Sequence, residues 1–403
     1  MTTYREVFAV RPFRVLFASR SLAIAADTLR IVALSVLVFA ATGSAWLSAV
    51  AFAIGFLPQV AGGLLLGSLS DRLRPRPLIV CGYLVESAAA IALATVAMPT
   101  WAALLLVAAV AACTPVFGGA SSRLVADVLT GDAYVLGRSV TSMASGGAQL
   151  LGLAVGGIAV AALGPAHALL VTAGCHLVAA ATVRFGLPDF PPPPAPAAAR
   201  SAVGQSWAVN KHLLADPWIR RLLLIQWLPC AFVVAVEALL VAYVGVRGLP
   251  AAAIGLLLAC SPAGMLLGEL VVGRLVAPRF RVRLVAPLIL VLGLPPVALA
   301  LDPPLAACAA LIVLSGSGFA YALGLQRPFV DAVTEASRGQ AFGLLSTGLM
   351  TLQGLGPVLL GAVAQVAGVR WAIALAGIAT AACVTLVTPV LRRARPIAAT
   401  MSG

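Results

Sequence analysis

Apolar runs long enough to cross a bilayer recur along almost the whole 403-residue chain. A membrane helix needs roughly 20 consecutive apolar residues. Runs of that kind fall at about 14–41, 46–68, 77–97, 101–122, 135–162, 165–185, 220–245, 252–275, 284–301, 304–325, 340–367 and 370–391. Lipid offers backbone N–H and C=O groups no partner, so each run must satisfy its own and is predicted to be a helix. The sequence lacks the short alternating segments of a membrane β-barrel. With 62% hydrophobic and 10% charged residues, the chain falls well below the quarter of charged residues usual in soluble domains. The expected fold class is an all-α polytopic membrane protein with 12 transmembrane helices.

The net charge of +13 would suit a polyanionic partner, but its placement follows topology. With the N-terminus inside, the even-numbered connections hold Arg72, Arg74, Arg76, Arg123, Arg138, Arg184, Arg200, Lys211, Arg220, Arg221, Arg274, Arg279, Arg281, Arg283, Arg327 and Arg338. The opposite connections hold Arg247 and Arg370. That bias is the positive-inside rule. It predicts cytoplasmic N- and C-termini in a multi-pass inner (plasma) membrane protein, with the lipid bilayer rather than nucleic acid as the surrounding partner. The first apolar run is too long for a signal-peptide core and carries Asp27 and Arg30 at its middle, so no cleaved leader is expected.

The seven cysteines lie singly within predicted spans, and no CxxC pair occurs. They read as small apolar filler. His167, His176 and His212 are scattered along the chain, so no metal site and no cofactor are expected. No nucleophile–base pairing points to an enzyme.

The sixth connection is the only long one, with Pro191 to Pro194 and Pro196 before an alanine-rich stretch. Such a segment is a semi-rigid tether. It divides the chain into a six-helix bundle at 1–186, a linker at 187–218 and a second six-helix bundle at 219–403. Within the linker, Ser206 to Arg221 is expected to form an interfacial helix with Trp207, Leu213, Leu214 and Trp218 towards lipid. The bundles read as copies. An offset of 204 maps Pro58 to Pro262, Arg123 to Arg327, Asp127 to Asp331, Ser142 to Ser346, Gln149 to Gln353, Gly152 to Gly356 and Gly157 to Gly361. A parallel six-helix repeat is expected to place a site between its halves at mid-membrane.

After the second span, Gly67-Ser68-Leu69-Ser70-Asp71-Arg72-Leu73-Arg74-Pro75-Arg76 resembles the loop signature of the major facilitator superfamily. The resemblance covers the whole chain and implies two pseudo-symmetric six-helix bundles acting as a monomer. The first helix, from Phe13 to Arg20 through Asp27 to Thr42-Gly43-Ser44, looks like that of the macrolide-efflux and enterobactin-export branch of drug:proton antiporters. Two features depart from that branch. Its helix-five Gly-Pro pair is Gly152-Leu153 here, with Gly356-Pro357 in helix eleven instead. The arginine within helix four is absent, and Arg123 stands only at that helix's end. The loop motif reads as a conformational latch. Gly67, Asp71, Arg72 and Arg76 would meet Arg123, Arg338 and the helix-eleven N-terminus near Gln340, a setting that stabilises a carboxylate.

Five charges fall inside predicted spans: Asp27, Arg30, Glu86, Glu237 and Glu269. Each costs roughly 2.5–3.5 kcal/mol at a helix centre, which makes each a candidate functional residue. Asp27 and Arg30, spaced i, i+3, share a helix face. Glu86 has no basic residue on its own helix and is the candidate for reversible protonation unless it reaches Arg30. Arg30 can alternatively meet Glu237. Asp27, Arg30, Glu86 and Glu237 are thus the expected proton-coupling residues. Gln149, Gln226, Trp227, Phe319, Tyr321 and Gln353 are candidate liners of a substrate cavity, although ordinary helix packing suits each as well. The resemblance implies a secondary active transporter, a proton-coupled exporter of a small amphiphilic drug-like or natural-product compound. A metabolite importer and a transport-inactive sensor or scaffold are the alternatives.

Overall fold

The computed structural model describes residues 4–66, 73–129, 132–190, 209–250, 252–334 and 337–393. Among them are 12 helices long and apolar enough to cross a membrane: α1 (Arg11–Thr42), α2 (Ala45–Leu66), α3 (Pro75–Thr95), α4 (Thr100–Val128), α5 (Asp132–Leu163), α6 (Pro165–Gly186), α7 (Pro217–Val246), α8 (Ala252–Leu275), α9 (Arg279–Leu301), α10 (Leu305–Ala332), α11 (Arg338–Ala367) and α12 (Val369–Val387). No strand occurs among the described residues. The chain is a multi-pass, all-helical membrane protein.

Local chemistry sets the helix ends. Pro75, Pro165 and Pro217 stand in the first turns of α3, α6 and α7, where a missing N–H is harmless. The Asp216 carboxylate caps α7, accepting from the backbone N–H groups of Trp218 at 2.7 Å and Ile219 at 3.1 Å. Proline also breaks α2. Pro58 cannot donate to the carbonyl one turn back, and residues 54–56 leave the helix between Ala45–Ala53 and Leu57–Leu66. The Gln59 side-chain amide donates to the carbonyl of Gly55, satisfying a group that the break exposes.

Contacts divide the chain into two compact units, Met1–Thr42 with Ile54–Ala199, and Gly43–Ala53 with Arg200–Gly403. In unit 1, α1 packs on α5 and α6, α3 on α6, and α4 on the later segment of α2. In unit 2, α7 packs on α11 and α12, α9 on α12, and α8 on α10. Adding six to each helix number turns the first set of pairings into the second. The backbone repeats too. Gly164 enters α6 with φ 81° and Gly368 enters α12 with φ 91°, 204 positions apart. Their extended ψ values of 162° and 149° belong to a region open essentially to glycine alone.

One segment sits differently from the division of the sequence at residue 186. Residues 45–53, the first half of α2, pack on α7 and α11 in unit 2. Ser44 Oγ donates to Gln365 Oε1 at 3.1 Å, and Gly361 leaves room for Ala49 and Trp46. The linker also differs from its expectation. Residues 209–215 are helical, but Leu213 is buried and packs with Ile219, Leu222 and Phe329 in the unit 2 core, with Trp218 against the same cluster. Trp207 lies outside the described residues.

Candidate functional site in the membrane helices

Four polar side chains from three helices of unit 1 converge near the middle of their spans. On α1, one turn brings Arg30 Nη2 to 3.1 Å from Asp27 Oδ1. The same nitrogen lies 3.6 Å from Glu86 Oε2 on α3, so Arg30 does reach Glu86. From α6, His176 Nε2 stands 3.5 Å from Asp27 Oδ1, and its ring lies tilted against Tyr83 of α3 with centroids 6.2 Å apart. Arg30, Glu86 and His176 are buried, at 5%, 4% and 1% exposure. The close α1–α5 contact that seats Asp27 uses glycine, because a Cβ at Gly152 would strike the Ala25 carbonyl and Thr28.

The cluster carries one carboxylate more than Arg30 can neutralise. With both acids ionised and the imidazole neutral its charge is −1, and one proton brings it to zero. Burying an uncompensated charge costs several kcal/mol, so the charge balance of the cluster turns on whether it holds a proton. The hydrogen bonds around Glu86 are built for either state. Thr114 Oγ1 of α4 lies 3.1 Å from Glu86 Oε1 and 3.2 Å from the Val110 carbonyl. A hydroxyl has one hydrogen. Facing an ionised Glu86 it donates to the carboxylate; facing a protonated Glu86 it accepts, and turns its hydrogen to Val110. Among the described residues, Glu86 Oε2 and the ring nitrogens of His176 make no hydrogen bond beyond the ion-pair contacts with Arg30 and Asp27.

His176 joins the cluster although the sequence pattern leaves it as one of three scattered histidines. Its signal was an imidazole midway along an apolar span, where any ionisable group merits a functional hypothesis. With Asp27 and Glu86 it places three potential ligand atoms within 4.8 Å of one another, a donor set that the sequence had not disclosed. Arg30 already contacts both carboxylates, and a metal would have to displace that cation. The residues fit proton exchange better than a metal.

Among the described residues of unit 2, two carboxyls lie within spans and are half-buried, Glu237 of α7 and Glu269 of α8. Glu237 of α7 accepts from Ser261 Oγ of α8 at 2.5 Å, and no ion pair to it occurs among the described residues. The candidate cavity liners of unit 2 each have a polar atom engaged within the unit. Trp227 Nε1 donates to the Leu345 carbonyl at 2.9 Å, Tyr321 Oη to the Gln226 carbonyl at 3.0 Å, Gln226 Nε2 to the Leu222 carbonyl at 3.1 Å, and Gln353 Nε2 to Cys230 Sγ at 3.4 Å. Tyr321 is a core residue, and Phe319 packs against the same core. Gln149 lies exposed on α5. Gly152, Gly156 and Gly356 stand at close helix contacts, whereas Gly146 faces open space.

Of the latch residues, Gly67, Asp71 and Arg72 lie outside the described residues. Arg76 donates to the carbonyl of Arg184 at the end of α6. Arg123 is half-buried on α4, and Arg338 opens α11. Gln340 Nε2 donates to Asn210 Oδ1 at 3.0 Å, which ties α11 to the helix at 209–215.

The sequence from residue 16 to 331 matches the family model of the Major Facilitator Superfamily. The chain belongs to the major facilitator superfamily. Solved structures of this fold match it along nearly their whole length. A bacterial homologue of the human lysosomal transporter Spinster, in an inward-facing and unoccupied conformation, aligns with a TM-score of 0.69 at 15% identity, over 98% of this chain and 99% of that one. A POT family transporter in complex with a thioalcohol-conjugated peptide gives 0.72 at 10% identity, over 96% and 97%. The peptide transporter POT in complex with sulfate gives 0.64 at 15%, over 95% of each. No curated protein sequence matches the chain. This major facilitator protein is a membrane transporter, and not an enzyme.

Proposed function

We propose that this transporter exports a small amphiphilic compound from a bacterial cell in exchange for protons, by alternating access, as a monomer with both termini in the cytoplasm. The observation that carries proton coupling is the buried cluster of Asp27, Arg30, Glu86 and His176, one carboxylate in excess of its arginine. The arginine asymmetry of the connections supports the orientation. Export, and an amphiphilic substrate, rest on the likeness of the first helix to the macrolide-efflux branch.

In the loaded state Glu86 carries the proton and donates to Thr114, while Arg30 pairs with Asp27. Loss of the proton leaves Glu86 charged, and Arg30 is then shared between α1 and α3. The proton thereby sets how strongly two helices of unit 1 attract each other. The membrane potential supplies about 2.3 kcal/mol per charge per 100 mV, enough to bias such an equilibrium.

Transport in reconstituted vesicles, screened over a panel of lipophilic compounds with and without a pH gradient, tests this. Glu86→Gln mimics the protonated acid, so exchange at equal pH should persist while accumulation driven by the gradient is lost. Normal accumulation by Glu86→Gln, with Asp27→Asn or Glu237→Gln selectively uncoupled, would take the proton away from Glu86.

A further inference from the structure

Where α3 begins and α6 ends, unit 1 carries a cavity of about 490 Å³ lined by Arg74, Arg76, Arg184, Asp189 and an apolar floor of Val80, Cys81 and Leu84. Three arginines meet one carboxylate there. Arg74 Nη1 lies 3.5 Å from Asp189 Oδ2, and both side chains are more than half exposed. Arg76 donates to the Arg184 carbonyl, while its buried Nε has no hydrogen-bond partner among the described residues. Among the described residues that line the cavity the formal charge is +2. The N-terminus of the 21-residue α3 adds partial positive charge at the same place.

An apolar track leaves this cavity along α3. Pro77, Cys81, Leu84, Ala88 and Ile91 are all exposed, and their spacing of three and four residues puts them on one helix face. At 1.5 Å per residue the track is about 21 Å long. One leaflet contributes roughly half of the 30 Å hydrocarbon core, so the track runs the depth of a leaflet beneath a cationic mouth. A free anion would use the mouth and leave the track without purpose. An anionic phospholipid uses both.

We propose that this groove between α3 and α6 is a binding site for one anionic glycerophospholipid, its phosphate held by Arg74, Arg76 and Arg184 and an acyl chain laid along Cys81, Leu84, Ala88 and Ile91. Basic pockets between membrane helices are suited to such headgroups, and each arginine near an anionic lipid is worth roughly five-fold in affinity.

Native mass spectrometry of the full-length protein, titrated with phosphatidylglycerol, phosphatidylcholine or inorganic phosphate, tests the site. Wild type should retain one phosphatidylglycerol in preference to phosphatidylcholine. Arg74→Gln with Arg184→Gln should weaken phosphatidylglycerol binding about 25-fold and leave phosphatidylcholine unchanged; Arg74→Gln alone, at an exposed position, should weaken it about five-fold. Arg279→Gln with Arg283→Gln, which removes two exposed arginines elsewhere, should change nothing. Undiminished preference in the Arg74 and Arg184 variants, or an equal loss in the Arg279 and Arg283 variant, overturns the site. Displacement of phosphatidylglycerol by millimolar inorganic phosphate would make it a free-phosphate pocket and equally overturn the lipid.

Discussion

Arg30 has two carboxylates within reach, and this changes what removing either one should do. Asp27→Asn breaks the 3.1 Å contact but leaves Arg30 beside Glu86. Glu86→Gln breaks the 3.6 Å contact but leaves Arg30 with Asp27. Each single variant leaves one carboxylate against Arg30, a neutral pair, which offsets part of the lost attraction. A hydrogen bond to a charged group is worth about 1.5–3 kcal/mol, so Asp27→Asn should cost about 1–2 kcal/mol and Glu86→Gln less than about 1. Together they leave Arg30 buried with no carboxylate, a situation that typically costs 3–5 kcal/mol. The pair should therefore be non-additive by about 2 kcal/mol, as for residues sharing one partner. In a unit of about 190 residues, 1 kcal/mol shifts Tm by roughly 2–4 °C. Thermal melts of the purified protein should show small shifts for the singles and about 10–15 °C for the double. Arg30→Met added to the double should recover most of that loss, since replacing a whole buried ionic group with apolar residues is often neutral. An additive double variant that Arg30→Met fails to rescue would refute the sharing of Arg30.

Glycine packing offers a test of the repeat. A Cβ at Gly152 would strike the Ala25 carbonyl, and one at Gly356 the Ala231 carbonyl, whereas Gly146 has open space. Gly152→Ala and Gly356→Ala should each lower stability by about 1–3 kcal/mol, while Gly146→Ala should raise it by up to about 1 kcal/mol, read as melts of opposite sign. The orientation is tested by cysteines introduced at Leu301 and Lys211 in a cysteine-free background. Both positions are exposed, and an impermeant reagent applied to intact cells should label Leu301→Cys and spare Lys211→Cys; the reverse pattern would invert the proposed topology. Arg247 and Arg370 are poor sites for such labels, because both contact Asp302.

The twelve spans were legible because lipid leaves backbone groups no partner, and hydropathy reports that constraint directly. The Asp27–Arg30 contact was legible for the same local reason, since i, i+3 spacing fixes neighbours on one helix. Glu86, Thr114 and His176 lie on three other helices, and nothing in their spacing says which way they face. In a soluble helix the apolar stripe marks the buried side. In a membrane helix the lipid-facing side is apolar too, so that signal vanishes. His176 therefore looked solitary, and Tyr321, a core residue, looked like a cavity liner. The break in α2 could have been anticipated from Pro58. The packing of residues 45–53 with unit 2 could not, because it depends on Ala49 and Trp46 meeting Gly361.

The offset of 204 that relates the two units also separates their packing from their chemistry. Helix pairings, Gly152 with Gly356 and Gly164 with Gly368 all carry over. The ionic residues do not. Asp27, Arg30, Glu86 and His176 correspond to Ala231, Val234, Leu290 and Thr380, and Glu237 with Ser261 corresponds to Ala33 and Leu57. At the positions of Asp27, Arg30 and His176, unit 2 has the buried residues Ala231, Val234 and Thr380, whereas Leu290 is exposed, so the offset does not carry Glu86 to a buried position on α9. The architecture thus does not need the charges to close. A buried ion group is in any case poor at stabilising relative to well-packed apolar side chains. On the proposed mechanism, what the four residues of unit 1 add is a carboxylate that holds or releases a proton against a shared arginine, a group with no counterpart at these positions of unit 2.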